Sequence, residues 1–477
     1  MSYVPVIGLE VHCQLKTRTK LFCGCRNEFG APPNAHTCPT CTGQPGALPA
    51  LNAGALELAL RAALALGCTI APRSVFARKN YFYCDLPKGY QITQYDKPYC
   101  SGGGIELASG RRIRLLRIHM EEDAGKAIHD RGDATLVDLN RAGVPLIESV
   151  TEPDLSSSDE AHEYLTRLRE ILVFAGVSDC DMEKGSLRCD VNVSVHHPGT
   201  PLGSKVEIKN LNSFKSVREA IEVERVRQVG VLEGGGRVVQ ETRLFDAERG
   251  ETRSMRTKED AEDYRYFPEP DLPALRISAE AVARVKAALP ELPAAKRARY
   301  ERELGLSAYD AGVLTAEPAV AAFFEAAAAA SGDAKAAANW VSNEVPAALS
   351  AAPAGRASFA DLTLTPAGLA ELLLLVRRGT LSSSAAKKVL RAMLEEGESA
   401  PAAMRRLGLE QVNDEAELEG WVRAALKGKE GVVADIRAGK TKALGAILGP
   451  VMKASGGRAN PETVRAIVLR LAGEDGA

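Results

Sequence analysis

The stretch Pro5-Val-Ile-Gly-Leu-Glu-Val-His-Cys-Gln-Leu15 puts two chemistries on one strand. Side chains on a strand point alternately to opposite faces, so Ile7, Leu9, Val11, Cys13 and Leu15 share one side while Gly8, Glu10, His12 and Gln14 share the other. A carboxylate, an imidazole and an amide at alternate positions differ from the Lys, Thr and Ser of a typical wet face. On this strand alone, however, an ordinary solvated sheet face is an equally good reading.

Two later strands repeat the pattern. In Ser186–Val195 the apolar side is Leu187, Cys189, Val191, Val193 and Val195, and the polar side is Ser186, Arg188, Asp190, Asn192 and Ser194. In Lys205–Lys209, Val206 and Ile208 oppose Lys205, Glu207 and Lys209. If the three strands share a sheet, their apolar faces form one core and their polar faces one floor. Carboxylate, imidazole and amide donors suit a hard cation such as magnesium, completed by substrate phosphates that neighbouring Lys and Arg would meet. The sequence therefore predicts an α+β chain with a metal-phosphate site on an open, mixed β-sheet flanked by helices.

With 477 residues the chain has room for about three domains. Sixty basic and 62 acidic side chains leave a net charge of −2, so any nucleic-acid binding must be local. The N-terminus lacks a basic region followed by an apolar one, and no uncharged apolar run approaches 18 residues. A soluble, cytoplasmic protein is expected. Four of the ten cysteines cluster as Cys23-Gly-Cys25 and Cys38-Pro-Thr-Cys41. Two close thiol pairs joined by a short loop predict a zinc knuckle. Four thiolates leave zinc no open position, so the knuckle would be structural. Free thiols in a reducing compartment are the alternative.

Leu56–Gly67 reads as a short helix ended by glycine. Over Ala77–Tyr95, Tyr81, Phe82, Tyr83, Tyr90 and Tyr95 interleave with Arg78, Lys79 and Lys88, a concentration in a chain only 5% aromatic. Two readings stand: stacking of unpaired bases with phosphate contacts, or half-buried packing on a loop-rich surface. Arg117–Lys126 gathers His119, Glu121, Glu122, Asp123 and Lys126. Adjacent acids repel unless a cation neutralises them, although a solvated acidic turn would also accommodate them. Asp138, Asn140 and Glu148 alternate on two further strand-like pieces. A serine-capped helix follows over 156–175, another spans about Ser216 to Val229, and Gln240–Asp246 with Arg253–Lys258 reads as a hairpin. The proline-locked loop Tyr264–Pro273 is expected to wall the site.

Val6-Ile-Gly-Leu-Glu-Val-His12, His119–Lys126, Gly185–Asn192, Ile208–Phe214, Gln240-Glu-Thr-Arg243 and Asp263–Asp271 together resemble the B-type subunit of the aspartyl/glutamyl-tRNA amidotransferases, over the whole chain. The resemblance implies a catalytic cradle over 1–290, a helical domain over 291–408 and a small helical, tRNA-binding tail over 409–477. It implies an ATP-dependent ligase component. The side-chain carboxylate of glutamate on tRNA(Gln), or of aspartate on tRNA(Asn), is phosphorylated, and ammonia then displaces phosphate. It implies catalytic roles for Glu10, His12, Glu122, Asp190 and Glu207, with His12, Glu122 and Glu207 as magnesium ligands. Lys79, Arg188, Lys209 and Arg243 would contact the phosphates of ATP. Cys84 stands where the family more often has Pro, and some members lack the zinc thiols.

No Ser-Ser-Lys arrangement and no activated Cys–His set reads as a glutamine-hydrolysing centre. By resemblance, ammonia comes from a partner amidase, with a small third component completing a heterotrimer. Gly439-Lys-Thr441 imitates the end of a phosphate-binding loop, but its leading glycine would fall at Ala434 in helical sequence. From about residue 280 the chain is Ala-rich and helical, with caps expected at Thr365-Pro366 and at Ser383 or Ser384. Between Gly431 and Ala472, Arg437, Lys440, Lys442, Lys453, Arg458, Arg465 and Arg470 face only Asp435 and Glu462, a local charge of 7 − 2 = +5. That module reads as a grip on tRNA phosphates through Lys440, Lys442, Lys453 and Arg458, against a solvated helical face. Two other classes share parts of this inventory, a metal-dependent phosphoesterase and a zinc-containing RNA-binding scaffold. Neither would consume ATP with ammonia.

Overall fold

The computed structural model of the chain describes residues 3–129, 132–257, 261–350, 359, 362–412 and 414–474. It is an α+β protein divided into Met1–Pro293 and Ala294–Ala477.

The first unit is built on a ten-stranded mixed sheet, and the strands read from the sequence lie side by side at its centre. Val4–Gln14 pairs antiparallel with Leu187–His196 on one edge and with Pro145–Thr151 on the other. Outside these run Val206–Lys209 and Arg112–Glu122, each antiparallel to the strand on its inner side. Glu241–Asp246 adds parallel to Val206–Lys209, and Glu251–Thr257 closes a hairpin on it. Lys258 of the expected hairpin lies outside the described residues.

Register explains why one face is core and the other floor. Ile7, Leu9, Val11 and Cys13 are at most 1% exposed, and Cys189, Val191, Val193 and Ile208 are buried beside them. Helix Ser158–Phe174 contributes Tyr164, Leu165, Leu168 and Leu172 to the same core. Each such side chain stabilises by about 1.5–3 kcal/mol on burial, so the apolar set fixes which way the strand faces. The helix begins where expected: Ser157 Oγ accepts from the Glu160 amide at 3.1 Å, and Gly176, at φ +69°, ends it. Helix Phe214–Glu233 starts two residues before its expected position because Ser213 caps it. Asn52 likewise moves the start of the first helix to Ala53, and that helix ends at Ala65.

The second unit is helical and holds two cores. One runs from Tyr300 to Met404 and the other from Leu418 to Ala472. Thr365 caps helix Pro366–Arg377 with proline in its first turn, as its sequence suggests. The next cap falls on Ser382 rather than Ser383 or Ser384, because it is Ser382 whose Oγ accepts from the Ala385 amide at 3.2 Å. Among the described residues, no single helix is long and apolar enough to cross a membrane.

Candidate active site

Cross-strand pairing turns the polar face into rows. His12 stands opposite Glu148 on one neighbour and Arg188 on the other, and Glu148 stands opposite His119. Directly paired residues have Cβ atoms about 4.5–5.5 Å apart, so the row brings imidazole, carboxylate and imidazole into contact. His12 Nε2 lies 3.4 Å from Glu148 and 3.3 Å from Glu121, and His119 Nε2 lies 3.2 Å from Glu148. One ligand atom from each of His12, Glu121 and Glu148 falls within 4.8 Å of the others. A second row, further along the strands, sets Asn192 opposite Gly8 and Glu207, and Thr242 opposite Glu207. Between the rows stand Glu10 and Asp190, themselves a cross-strand pair.

His12, His119 and Glu148 of the first row and Glu207 and Thr242 of the second line one cleft of about 240 Å³, together with Lys79, Lys209, Tyr264 and Tyr266. Lys209 pairs with Asp190 and lies 3.4 Å from Glu207, and Thr242 Oγ1 donates to Glu207 at 2.7 Å. Lys79 reaches in with its ammonium 4.7 Å from the centre of the Tyr264 ring. Burial opposes a charge on Lys209, but Asp190 and Glu207 overcome that and hold its pKa above the usual lysine value. Burial also opposes the charge on Lys79, and the phenol oxygen of Tyr266 with the carboxylates of Glu121 and Glu148 more than offsets it.

The three-sided cluster is suited to a hard divalent cation, with two carboxylates and one imidazole converging. The metal-free electrostatics point the same way. Burial pulls His12 and His119 down, yet Glu148 and Glu121 lift both to about 9, so protons neutralise the carboxylates where an ion would. Burial would raise Glu148, but His119 and His12 hold it well below the usual carboxylate range. His119 Nδ1 is enclosed without a hydrogen-bond partner.

Comparison with known proteins gives this geometry its family. Residues 5–283 match the GatB/GatE catalytic domain and residues 322–471 match the GatB domain. The chain is 54% identical over 483 residues to the B-type subunit of the aspartyl/glutamyl-tRNA(Asn/Gln) amidotransferase of Anaeromyxobacter sp. (strain K), covering 99% of each. The protein of the same name from Geotalea daltonii is 52% identical over 478 residues, covering 98% of this chain and 99% of its own. The chain belongs to the family of amidotransferase B-type subunits.

In this amidotransferase chain the expected trio His12, Glu122 and Glu207 does not meet. Glu122 follows Glu121 on the strand and turns the opposite way, where it pairs with Lys88 and accepts from the Ile92 amide at 3.0 Å. Glu207 lies in the other row, beside Lys209. Glu121 and Glu148 take the places beside His12. Continuing the alternation through His119 and Glu121, two residues apart, is the signal that finds Glu121, whereas Glu148 stands on another strand and is placed by register. Glu10, Asp190, Lys79 and Lys209 are all at the cleft. Arg188 stands in register beside His12 with its guanidinium 2.9 Å from Asp123, outside the cleft wall. Arg243 follows Thr242 and so faces away from the cleft, donating to Thr252 Oγ1 at 2.8 Å and to the Thr252 carbonyl at 2.6 Å.

The aromatic stretch divides between its two readings. Arg78 is bound to Glu269 at 2.7 and 2.8 Å and packs over Tyr90, so it holds the 267–271 loop in place. Lys88 is engaged by Glu122. Phe82 and Tyr83 are exposed, whereas Tyr95 stacks on Tyr266 with ring centres 4.1 Å apart. The proline-locked loop does wall the cleft, through Tyr264 and Tyr266.

The sulfur atoms of Cys23, Cys25, Cys38 and Cys41 converge within 4.8 Å, a candidate metal site. Cys41 is the anion of the set: the Cys23 thiol donates to it, and further contributions, among them the charge of Lys20, bring it down to about 4 despite burial. Lys20 is fully buried, 3.6 Å from Cys41 and 2.7 Å from the His36 carbonyl. A dication among four thiolates leaves two negative charges over, and a buried ammonium beside them reduces that excess.

In the C-terminal core the basic residues also sort themselves. Lys440 pairs with Asp435 at 2.8 Å, Arg470 with Glu415 and Glu419, and Arg437 donates to the Ala472 carbonyl. Lys442, Lys453, Arg458 and Arg465 are exposed.

Proposed function

We propose that this chain activates the side-chain carboxylate of glutamate or aspartate attached to tRNA(Gln) or tRNA(Asn), using ATP, within a complex that supplies ammonia. The observation that carries the reading is the cleft on the sheet, where a hard-donor trio and two lysines share about 240 Å³ in a chain of this amidotransferase family. A carboxylate is a poor acyl donor because oxide is a poor leaving group. One carboxylate oxygen attacks the γ-phosphorus, the bond to ADP breaks, and ADP leaves with that electron pair. Ammonia then attacks the acyl carbon and loses a proton, and phosphate leaves with the carbon–oxygen pair.

His12, Glu121 and Glu148 would hold magnesium, which bound there neutralises phosphate charge. Lys209 and Lys79 place ammonium groups on the same cleft to meet phosphoryl oxygens. Glu10 and Asp190 orient Asn192 and Lys209, the first by accepting from Asn192 Nδ2 at 3.0 Å and the second by ion pairing. The four thiols would hold a structural zinc. An amidase that releases ammonia and a small third component are the expected partners in a cytoplasmic heterotrimer. The exposed cations Lys442, Lys453 and Arg458 of the 409–477 tail would grip tRNA phosphates, with Lys440 already tied to Asp435.

The test is ADP release by the assembled complex with ATP, magnesium, ammonium and tRNA carrying glutamate, comparing Glu121→Gln with Glu122→Gln. Glu121→Gln is expected to lose ADP and glutaminyl-tRNA together. If wild type forms no tRNA-dependent ADP, carboxylate activation at this cleft is wrong. Removing the tail should raise the apparent KM for charged tRNA and leave ADP formation at saturating tRNA nearly unchanged. An equal fall in both parameters would instead make the tail part of the catalytic fold.

A further inference from the structure

Three Lys or Arg side chains line the cleft, and two of them are already engaged. Lys209 pairs with Asp190, and Lys79 lies against the Tyr264 ring. The third is Arg117. It is half-buried, its Nε is enclosed without a hydrogen-bond partner, and no acid among the described residues forms an ion pair with it. A guanidinium does not shed its proton, so its partial desolvation without an anion is a cost that an anionic ligand removes.

Register identifies the ligand group. Arg117 stands opposite Val150, and Val150 stands opposite Glu10, so the three form one row across the floor. His119, two residues further along the same strand and about 7 Å away, belongs to the row of the His12 cluster. With strands about 4.8 Å apart, the backbones at Arg117 and Glu10 are separated by about 10 Å, and an aliphatic side chain lies between them. A cation, an aliphatic surface and a carboxylate in that order complement an amino acid with a carboxylate at one end, methylenes in the middle and an amino group at the other. A chain of phosphates has neither the apolar middle nor the basic end.

We propose that Arg117, Val150 and Glu10 form the amino-acid subsite of the cleft. Arg117 holds the side-chain carboxylate of the tRNA-borne glutamate or aspartate, and Glu10 accepts from its α-amino group. The inference rests on the carboxylate-activation reading above. The planar fork of arginine bonds both oxygens of a carboxylate, whereas the amide of the product offers it a single oxygen. Arg117 therefore selects the acid over the amide. It also sets the carboxylate beside the metal row, where one oxygen attacks the γ-phosphorus as the bond to ADP breaks and ADP leaves with that electron pair.

The test uses the assembled complex and follows tRNA-dependent ADP formation with ATP and glutamate-bearing tRNA varied in turn, and with glutamine-bearing tRNA as inhibitor. Hydrogen bonds to a charged group change affinity about 10- to 100-fold, so Arg117→Gln should raise the KM for glutamate-bearing tRNA by about that factor. Arg117→Lys, which keeps the charge and loses the fork, should raise it several-fold. In both variants the KM for ATP and the inhibition constant of glutamine-bearing tRNA should stay within a factor of two of wild type. A parallel rise in that inhibition constant would make Arg117 a structural support of the tRNA site and overturn the subsite. A rise in the KM for ATP instead would give Arg117 to a phosphate, and unchanged constants in both variants would leave it without a ligand; either result overturns the proposal. Failure of wild type to form tRNA-dependent ADP would bring down the activation reading itself. Should Arg117→Gln melt early, Arg117→Lys decides alone.

Discussion

His12, Glu121 and Glu148 sit on three adjacent strands of the central sheet, while Cys23, Cys25, Cys38 and Cys41 sit on a loop between the first strand and the first helix. The first cluster is held by backbone register, offers oxygen and nitrogen donors, and opens on a cleft with room for substrate. The second offers only sulfur, backed by the buried Lys20 ammonium, and four thiolates leave no position for a reacting group. One cluster is a rigid platform that waits for an ion and a substrate. The other is a closure for a segment with few apolar residues of its own to bury.

The contrast can be broken most sharply at Glu148, which touches both imidazoles. Glu148→Gln should lower ADP formation by roughly three orders of magnitude, several kcal/mol of lost charge stabilisation, with a secondary-structure spectrum close to wild type. Retention of more than a tenth of the activity would remove the cluster from the chemistry.

Cys41→Ser should do the converse. It leaves the Lys20 ammonium buried without its anion, which costs about 3–5 kcal/mol and lowers the melting temperature on the order of 10 °C. The KM for ATP should stay within a factor of two for whatever fraction remains folded. A chelator should reproduce this loss in wild type and add nothing to the variant. A variant with wild-type stability would mean that the thiols hold nothing.

A third measurement separates the clusters by pH. In the metal-free protein His12 and His119 have pKa values raised from 6.5 to about 9. Their pairing with Glu148 and Glu121 therefore stabilises fully below about pH 6.5 and fades as pH rises through about 9, by on the order of 3 kcal/mol for each imidazole. Urea midpoints in the presence of a chelator should fall over that window, and His119→Gln should flatten the slope. A ligating imidazole must be neutral, so magnesium binding at pH 7.5 should release about one proton. Calorimetry in two buffers of different ionisation enthalpy reads this directly, and identical heats in both would remove His12 from the ligand set.

The faces of three strands, the helix over 156–175 and the four-thiol grouping are legible in the sequence, because alternation, capping and close thiol spacing are local signals. The Glu121 and Glu122 pair shows where legibility stopped. Both are acids in one motif, and only the parity of the Arg112–Glu122 strand sends Glu121 to His12 and Glu122 to Lys88. The same parity takes Arg243 from the cleft and gives its place to Thr242. For Arg78 a phosphate contact and surface packing stood as equal readings, because its partner Glu269 lies 191 residues away and no local pattern announces the pairing.

What the sequence alone determined is the inventory and the side of each strand on which it stands, since period-two burial is written into neighbouring residues. The tertiary structure decided which carboxylates meet which imidazoles and which cations remain to meet a ligand. It also decided that the floor runs past Glu10 into a second cavity. Those outcomes depend on strand order and register between segments that lie from tens of residues apart to, for His12 and Glu148, more than 100, and the free energy that sets them comes from burying the opposite, apolar face.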